Sequence, residues 1–121
     1  MEQPKQVFVI EDDNDLNDAL VMLLKLAGYD VSTWLNISAF KRREGPPPDV
    51  YLIDRQLDQE DGLDLCRELK AGPVTREIPV VIMSANAGIK AASEEAGASA
   101  FLPKPFTRKE LVSILQSVLT K

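Results

Sequence analysis

Four short apolar runs along the chain each end in polar or charged residues. Val7-Phe8-Val9-Ile10 leads straight into Glu11-Asp12-Asp13, and Val50-Tyr51-Leu52-Ile53 into Asp54. Val80-Val81-Ile82-Met83 leads into Ser84, and Ala100-Phe101-Leu102 into Pro103-Lys104-Pro105. Unbroken apolar runs of this length, with helical patterns between them, read as parallel strands buried on both faces. Val31-Ser32-Thr33-Trp34 adds a further short strand. The spacing of Leu16, Leu20, Leu23, Leu24 and Ala27 predicts a helix over Asn14–Ala27, stopped by a left-handed Gly28. Asn36 caps a short helix reaching Arg43. Gly45-Pro46-Pro47-Pro48 bars both helix and strand, so it is a rigid connector into the third strand rather than a domain linker.

A third helix is predicted over Asp61–Ala71 and ends at Gly72-Pro73, while Pro79 opens the next strand. The Ala-rich segment Ile89–Ala96 has a weak apolar face and predicts a loosely held helix, capped by Gly97. Thr107 and Glu110 form a capping box ahead of Leu111, Ile114, Leu115, Val118 and Leu119, one apolar face of the last helix. Five strands alternating with five helices predict an α/β three-layer sandwich around a parallel sheet. Ligands of open parallel sheets bind beyond the carboxyl ends of the strands, where the winding direction switches. The acids, the Ser84 hydroxyl and Lys104 therefore converge on one edge. Such a cluster suits an oxygen-seeking cation and an incoming phosphoryl group.

At 121 residues the whole chain, 1–121, reads as a single domain with a proper core. Its 45% apolar and 27% charged content is that of a globular protein. The formal net charge of -5 argues against nonspecific nucleic-acid binding, which needs a basic face. The absence of histidine excludes Ser-His-Asp chemistry, imidazole-bound zinc and a phosphohistidine within this chain. The lone Cys66, among Leu63, Leu65 and Leu69, reads as a small buried hydrophobe in a reducing compartment. Met1–Lys5 lacks the apolar core of a signal peptide, and no apolar stretch approaches the roughly 20 residues of a membrane span. The expected location is the cytoplasm.

Each candidate also has a plain structural reading. Acids at Glu11-Asp12-Asp13 are favoured by a helix N-terminus without any metal, and either Glu11-Asp12 or Asp12-Asp13 is the working pair. Asp54 and Ser84 suit turn or cap positions, and Phe101 suits ordinary core packing. Lys104 alone would be a solvated lysine, but between two prolines its backbone is restricted.

Taken together, Glu11-Asp12, Asp54, Leu57, Asp61-Gly62, Ser84-Ala85 and Lys104-Pro105-Phe106 resemble the receiver domain of bacterial two-component response regulators. The resemblance covers essentially the whole chain and rests on the ordered set rather than on one motif. It implies a flavodoxin-like fold with strand order 2-1-3-4-5. It also implies that a histidine kinase or phosphotransfer protein donates a phosphoryl group to Asp54. The working pair becomes Glu11-Asp12, with Asp13 turned away or capping the first helix. Mg²⁺ would be held by Asp12, Asp54 and the Gln56 backbone carbonyl, with Glu11 bound directly or through water. Lys104 and Ser84 would contact the phosphoryl group, and the family has a cis peptide at Lys104-Pro105.

A switch is implied as well: Ser84 is drawn to the phosphate, Phe101 rotates inward, and the face of the fourth helix, fifth strand and fifth helix changes shape. The implied partners are a histidine kinase or phosphotransfer protein, an output domain or downstream protein, and a second copy on phosphorylation. No direct nucleic-acid or membrane contact is expected. Many relatives carry proline where this chain has Asp58, and Asp58-Gln59-Glu60 make an unusually polar, acidic loop that bears on metal affinity or kinase docking. Ser84 replaces a commoner threonine and Phe101 a frequent tyrosine, while Gln56 and Asn86 flank the phosphate position. Two other readings compete. An aspartyl phosphohydrolase needs an acid/base two residues after its nucleophile, where Gln56 cannot serve. An unphosphorylated interaction module would keep only the fold. The expectation is a switch that catalyses only its own phosphoryl transfer and autodephosphorylation.

Overall fold

The computed structural model describes residues 3–120. Met1, Glu2 and Lys121, the extreme ends of the stretch read above as one domain without a leader, lie outside the described residues. Five parallel strands form one sheet: β1 (Gln6–Ile10), β2 (Asp30–Trp34), β3 (Val50–Asp54), β4 (Val80–Ser84) and β5 (Ala100–Pro103). The strand order is β2-β1-β3-β4-β5, as expected. Five helices connect them: α1 (Asn14–Leu26), α2 (Ile37–Lys41), α3 (Gly62–Ala71), α4 (Lys90–Glu95) and α5 (Arg108–Leu119).

Strand side chains alternate between two cores. Val7, Val9, Leu52, Val81 and Met83 meet Leu20 and Leu24 of α1 and Leu111 and Leu115 of α5. Phe8, Ile10, Tyr51, Ile53 and Ile82 meet Phe40 of α2 and Leu65, Cys66 and Leu69 of α3. Covering helices on both faces explain why the central strands read as continuous apolar runs. Near the β2 edge, Phe8, Trp34, Phe40 and Tyr51 pack edge-to-face, with Phe8 and Trp34 centroids 4.9 Å apart. The Arg43 guanidinium lies 4.7 Å above the Phe8 ring and donates to the Gly45 carbonyl. This contact ties the proline connector to the aromatic cluster.

The predicted caps are present. Asp13 caps α1, Asn36 caps α2, and Thr107 with Glu110 forms the capping box of α5. Gly28 takes φ +95 after α1, as its stop role requires. Cys66 is fully buried, and burial pushes its thiol up to about 11, so it is an inert hydrophobe.

Boundaries differ in places. The second helix ends at Lys41, short of the expected Arg43, whose side chain is drawn over Phe8. The fourth is only six residues long, follows a 3-10 turn at Ala87–Ile89, and buries Ser93. The segment expected to be a polar loop folds as a small antiparallel hairpin, Gln56–Leu57 against Glu60–Asp61.

Candidate functional site

Winding reverses between β1 and β3, which lie side by side with Ile10 opposite Ile53. The residues that follow, Glu11 and Asp54, therefore emerge at one level. In the next strand Met83 pairs with Asp54, and Ser84 pairs with Pro103 of β5. The Lys104 N–H donates to the Ser84 carbonyl at 2.9 Å, which fixes the start of the last loop. The Lys104-Pro105 peptide is cis. Four strand ends thus deliver Glu11, Asp54, Ser84 and Lys104 to one crevice, where open parallel sheets bind their ligands.

Carboxylate oxygens of Glu11, Asp12 and Asp54 lie within 4.8 Å of one another. Glu11, Asp54 and Ser84 are buried, while Asp12 is half-buried. Asp13 turns away and its Oδ1 accepts the Leu16 N–H. Geometry thus groups Glu11-Asp12, not Asp12-Asp13, with Asp54. Lys104 Nζ donates to Glu11 Oε1 at 2.7 Å and stands 3.3 Å from Asp54 Oδ2. The Glu11 carbonyl accepts from the Asn17 side chain, and its Oε2 accepts from the Asp13 N–H.

Burial pushes the Glu11 carboxyl up to about 7, against the opposing hydrogen bonds from Lys104 and the Asp13 N–H; the Asp54 charge pushes the same way as burial. Burial alone would lower Lys104, but its bond to Glu11 and the charge of Asp54 outweigh it and hold the ammonium above its ordinary range. The ammonium therefore stays charged among the three acids.

Asp54, Gln56, Ser84, Ala85, Asn86 and Lys104 line a cleft of about 350 Å³. Ser84 Oγ accepts the Asn86 N–H, so the hydroxyl can still donate its own proton. A larger hollow of about 1060 Å³ meets it at Gln56 and is lined by Asp12, but Asp54, Ser84 and Lys104 do not line it. Those three side chains belong to the smaller cleft. Phe101 is not among its lining residues and packs half-buried against the core on the α3 side.

The donor set is three carboxylates beside an exposed Gln56. This all-oxygen chemistry suits a hard divalent cation that keeps several waters, so the residues fit Mg²⁺.

A family model of the response regulator receiver domain matches residues 7–116. The chain belongs to this family. As a receiver domain, it is 31% identical over 119 residues to the transcriptional regulatory protein PrrA of Mycobacterium leprae, covering 96% of this chain and 50% of that protein. It is 27% identical to the response regulator MprA of Mycobacterium sp. (strain KMS), covering 98% of this chain and 52% of MprA. The chain spans about half the length of these curated relatives. Among solved structures, it resembles the receiver domain of sensor histidine kinase PA1611 from Pseudomonas aeruginosa PAO1. That match has a TM-score of 0.87 at 29% identity, covering 98% of this chain and 99% of that one. The PA1611 structure has a magnesium ion coordinated in its active-site cleft. Among the described residues, no helix is long and apolar enough to cross a membrane.

Two features of the receiver site escape sequence reasoning. Asp61-Gly62 stands out only as a motif, yet a Cβ at Gly62 would lie 2.1 Å from the Asp54 carbonyl oxygen. Glycine is what lets α3 start against the end of β3. The second feature is the hairpin, whose Asp58 N–H donates to Asp12 Oδ2 at 2.9 Å. No periodicity or turn signature marks that contact.

Proposed function

We propose that residues 1–121 form one receiver unit whose Asp54 accepts a phosphoryl group in a Mg²⁺-dependent reaction. The observation that carries this reading is the cleft around Asp54: a buried carboxylate 3.3 Å from Lys104 Nζ, with two further acids beside it and a hydroxyl across the opening. Asp12, Asp54 and the Gln56 carbonyl would hold the Mg²⁺, with Glu11 bound directly or through water, and its charge would offset repulsion between Asp54 and an incoming phosphate. An Asp54 oxygen attacks phosphorus as the P–N bond of a phosphohistidine breaks, and that electron pair returns to the imidazole nitrogen. Lys104 pairs with phosphoryl oxygens as a point charge, and Ser84 donates its hydroxyl proton to one of them. Water later attacks the acyl phosphate and frees Asp54, so the unit catalyses only its own phosphorylation and dephosphorylation.

The donor is a histidine kinase or a phosphotransfer protein. Ser84, drawn to the phosphate, and Phe101, turning inward, reshape the face of α4, β5 and α5. That face controls an output domain or a downstream protein, and pairs with a second copy on phosphorylation. The unit works in the cytoplasm without touching nucleic acid or membrane.

Intact mass after incubation with acetyl phosphate tests the reading. One added phosphoryl group that needs Mg²⁺ and is missing in Asp54→Asn is the expected result. A gain that persists in Asp54→Asn, or none from any phosphohistidine donor with Mg²⁺ bound, refutes it.

A further inference from the structure

Contacts at three places hold the small hairpin between β3 and α3. At its tip, the Asp58 N–H donates to Asp12 Oδ2 across 46 residues of sequence. On its flank, Glu60 Oε1 accepts the Ile37 N–H at 2.9 Å, the first helical residue of α2. At its base, Asp61 Oδ1 accepts the Leu63 N–H and lies 3.8 Å from Arg55 Nε. The turn itself is strained, because Gln59 takes φ 59 without being glycine. Such conformations persist where surrounding contacts over-determine them, and they cluster at functional sites.

We propose that this hairpin is a positioning device for the cation site: Glu60 anchors it to α2 so that the Asp58 N–H fixes the Asp12 carboxylate. The inference rests on the Mg²⁺ reading of that site. Asp12 is the least buried of the three acids and, untied, would sample several rotamers. With Oδ2 held by an N–H, the carboxylate keeps one orientation beside Glu11 and Asp54. The N–H also offsets part of the repulsion among three like charges. The donor is a backbone group, so its effect separates from the Asp58 side chain. Alanine keeps the N–H, whereas proline lacks it and still suits the position after the first residue of a turn.

Calorimetric titration of the unphosphorylated protein with Mg²⁺ alone is the test, alongside urea midpoints in EDTA. Asp58→Pro is expected to weaken Mg²⁺ binding roughly tenfold, the usual effect of losing a group that orients a ligand. Glu60→Ala weakens it by several-fold, Glu60→Gln restores it because the amide oxygen still accepts from Ile37, and Asp58→Ala stays within about twofold. Combining Asp58→Pro with Glu60→Ala gives no further loss, since both act through one N–H. If Asp58→Pro fails to fold, Glu60→Ala decides the matter, read with faster hydrogen exchange at the Asp58 amide. The proposal is overturned if Glu60→Ala binds Mg²⁺ like wild type, or if the two losses add. It is also overturned if Glu60→Gln fails to restore binding, or if affinity merely tracks the urea midpoint. Wild-type protein that shows no saturable Mg²⁺ binding overturns the cation reading as well. Binding lost in Asp12→Asn but intact in Glu60→Ala overturns the positioning role alone.

Discussion

Gly62→Ala should damage the site more than its size suggests. Gly62 opens α3, and its N–H donates to the Arg55 carbonyl at 2.8 Å. An added Cβ would stand 2.1 Å from the Asp54 carbonyl oxygen, 2.9 Å from its carbonyl carbon and 3.0 Å from Ile53 Cγ2. Ordinary contact begins near 3.4 Å, and two of these atoms are backbone of a fully buried strand that cannot rotate aside. The first turn of α3 must retreat, or the end of β3 must shift, by about 1 Å, a misplacement that can cost on the order of 100-fold in rate. Overpacking against backbone belongs at the upper end of the usual range, about 2–3 kcal/mol. For a domain of this length that lowers the melting temperature by roughly 8–12 °C. Urea unfolding followed by Trp34 fluorescence reads the stability, and a timed intact-mass assay with acetyl phosphate reads the transfer. Gly72→Ala is the comparison: its Cβ meets Thr75 Oγ1 at 2.7 Å, a side chain that can turn only by giving up its bond to the Leu69 carbonyl, so its cost is about 1 kcal/mol. A Gly62→Ala protein within about 0.5 kcal/mol of wild type, phosphorylated at the wild-type rate, would refute the close-approach account.

Lys104→Met removes the ammonium that competes with a cation for Glu11 and Asp54. Calorimetry should show Mg²⁺ binding tightened by several-fold, while phosphorylation slows on the order of 100-fold for want of a charge on the phosphoryl group. The folded protein holds the proton of Glu11 up to about 7, against an ordinary 4.5, chiefly through burial. That contribution to stability is fully present below pH 4.5 and is lost as pH rises through about 7. The urea midpoint of metal-free protein should therefore fall between about pH 5 and about pH 7.5, and Glu11→Gln should remove the slope. Arg43→Met takes the guanidinium off Phe8 and Phe40 and deletes the bond to the Gly45 carbonyl. Two partly exposed cation-π contacts and one surface hydrogen bond predict a loss of about 1–2 kcal/mol in urea unfolding; an unchanged midpoint would remove Arg43 from the account of the aromatic cluster.

The parts of this fold legible in sequence are those where one local rule decides. Burial on both faces turned β1, β3 and β4 into unbroken apolar runs, and Asn36 and Thr107 announced their helices by cap chemistry. The crevice was legible because strand ends mark it: reading one residue past each apolar run found Glu11, Asp54 and Ser84. The hairpin was not legible. Its two-residue strands have no period to detect, and Gln59 takes a positive φ that glycine or asparagine would have signalled. Its contacts with Asp12 and Ile37 join residues 46 and 23 positions apart, and exist only once the sheet is assembled. The place of Arg43 just beyond α2, over Phe8 of β1, was hidden for the same reason.

Charge balance ties the site together. Glu11, Asp12 and Asp54 carry three negative charges when ionised, and Lys104 supplies one positive charge. The metal-free site is thus two charges short of neutral, and it is largely buried, where unpaired charge is costly. Below about pH 7, the proton that burial favours on Glu11 makes up half of the deficit. A divalent cation makes up all of it, which a monovalent one cannot. A phosphoryl group on Asp54, as proposed, would bring new negative charge to the side where Lys104 already stands, 3.3 Å from Asp54 against 2.7 Å from Glu11. Moving the ammonium from Glu11 toward the phosphate needs only a change of partner within reach of one flexible side chain. Glu11 would be freed by that move just when the added charge makes a firmly held cation most valuable.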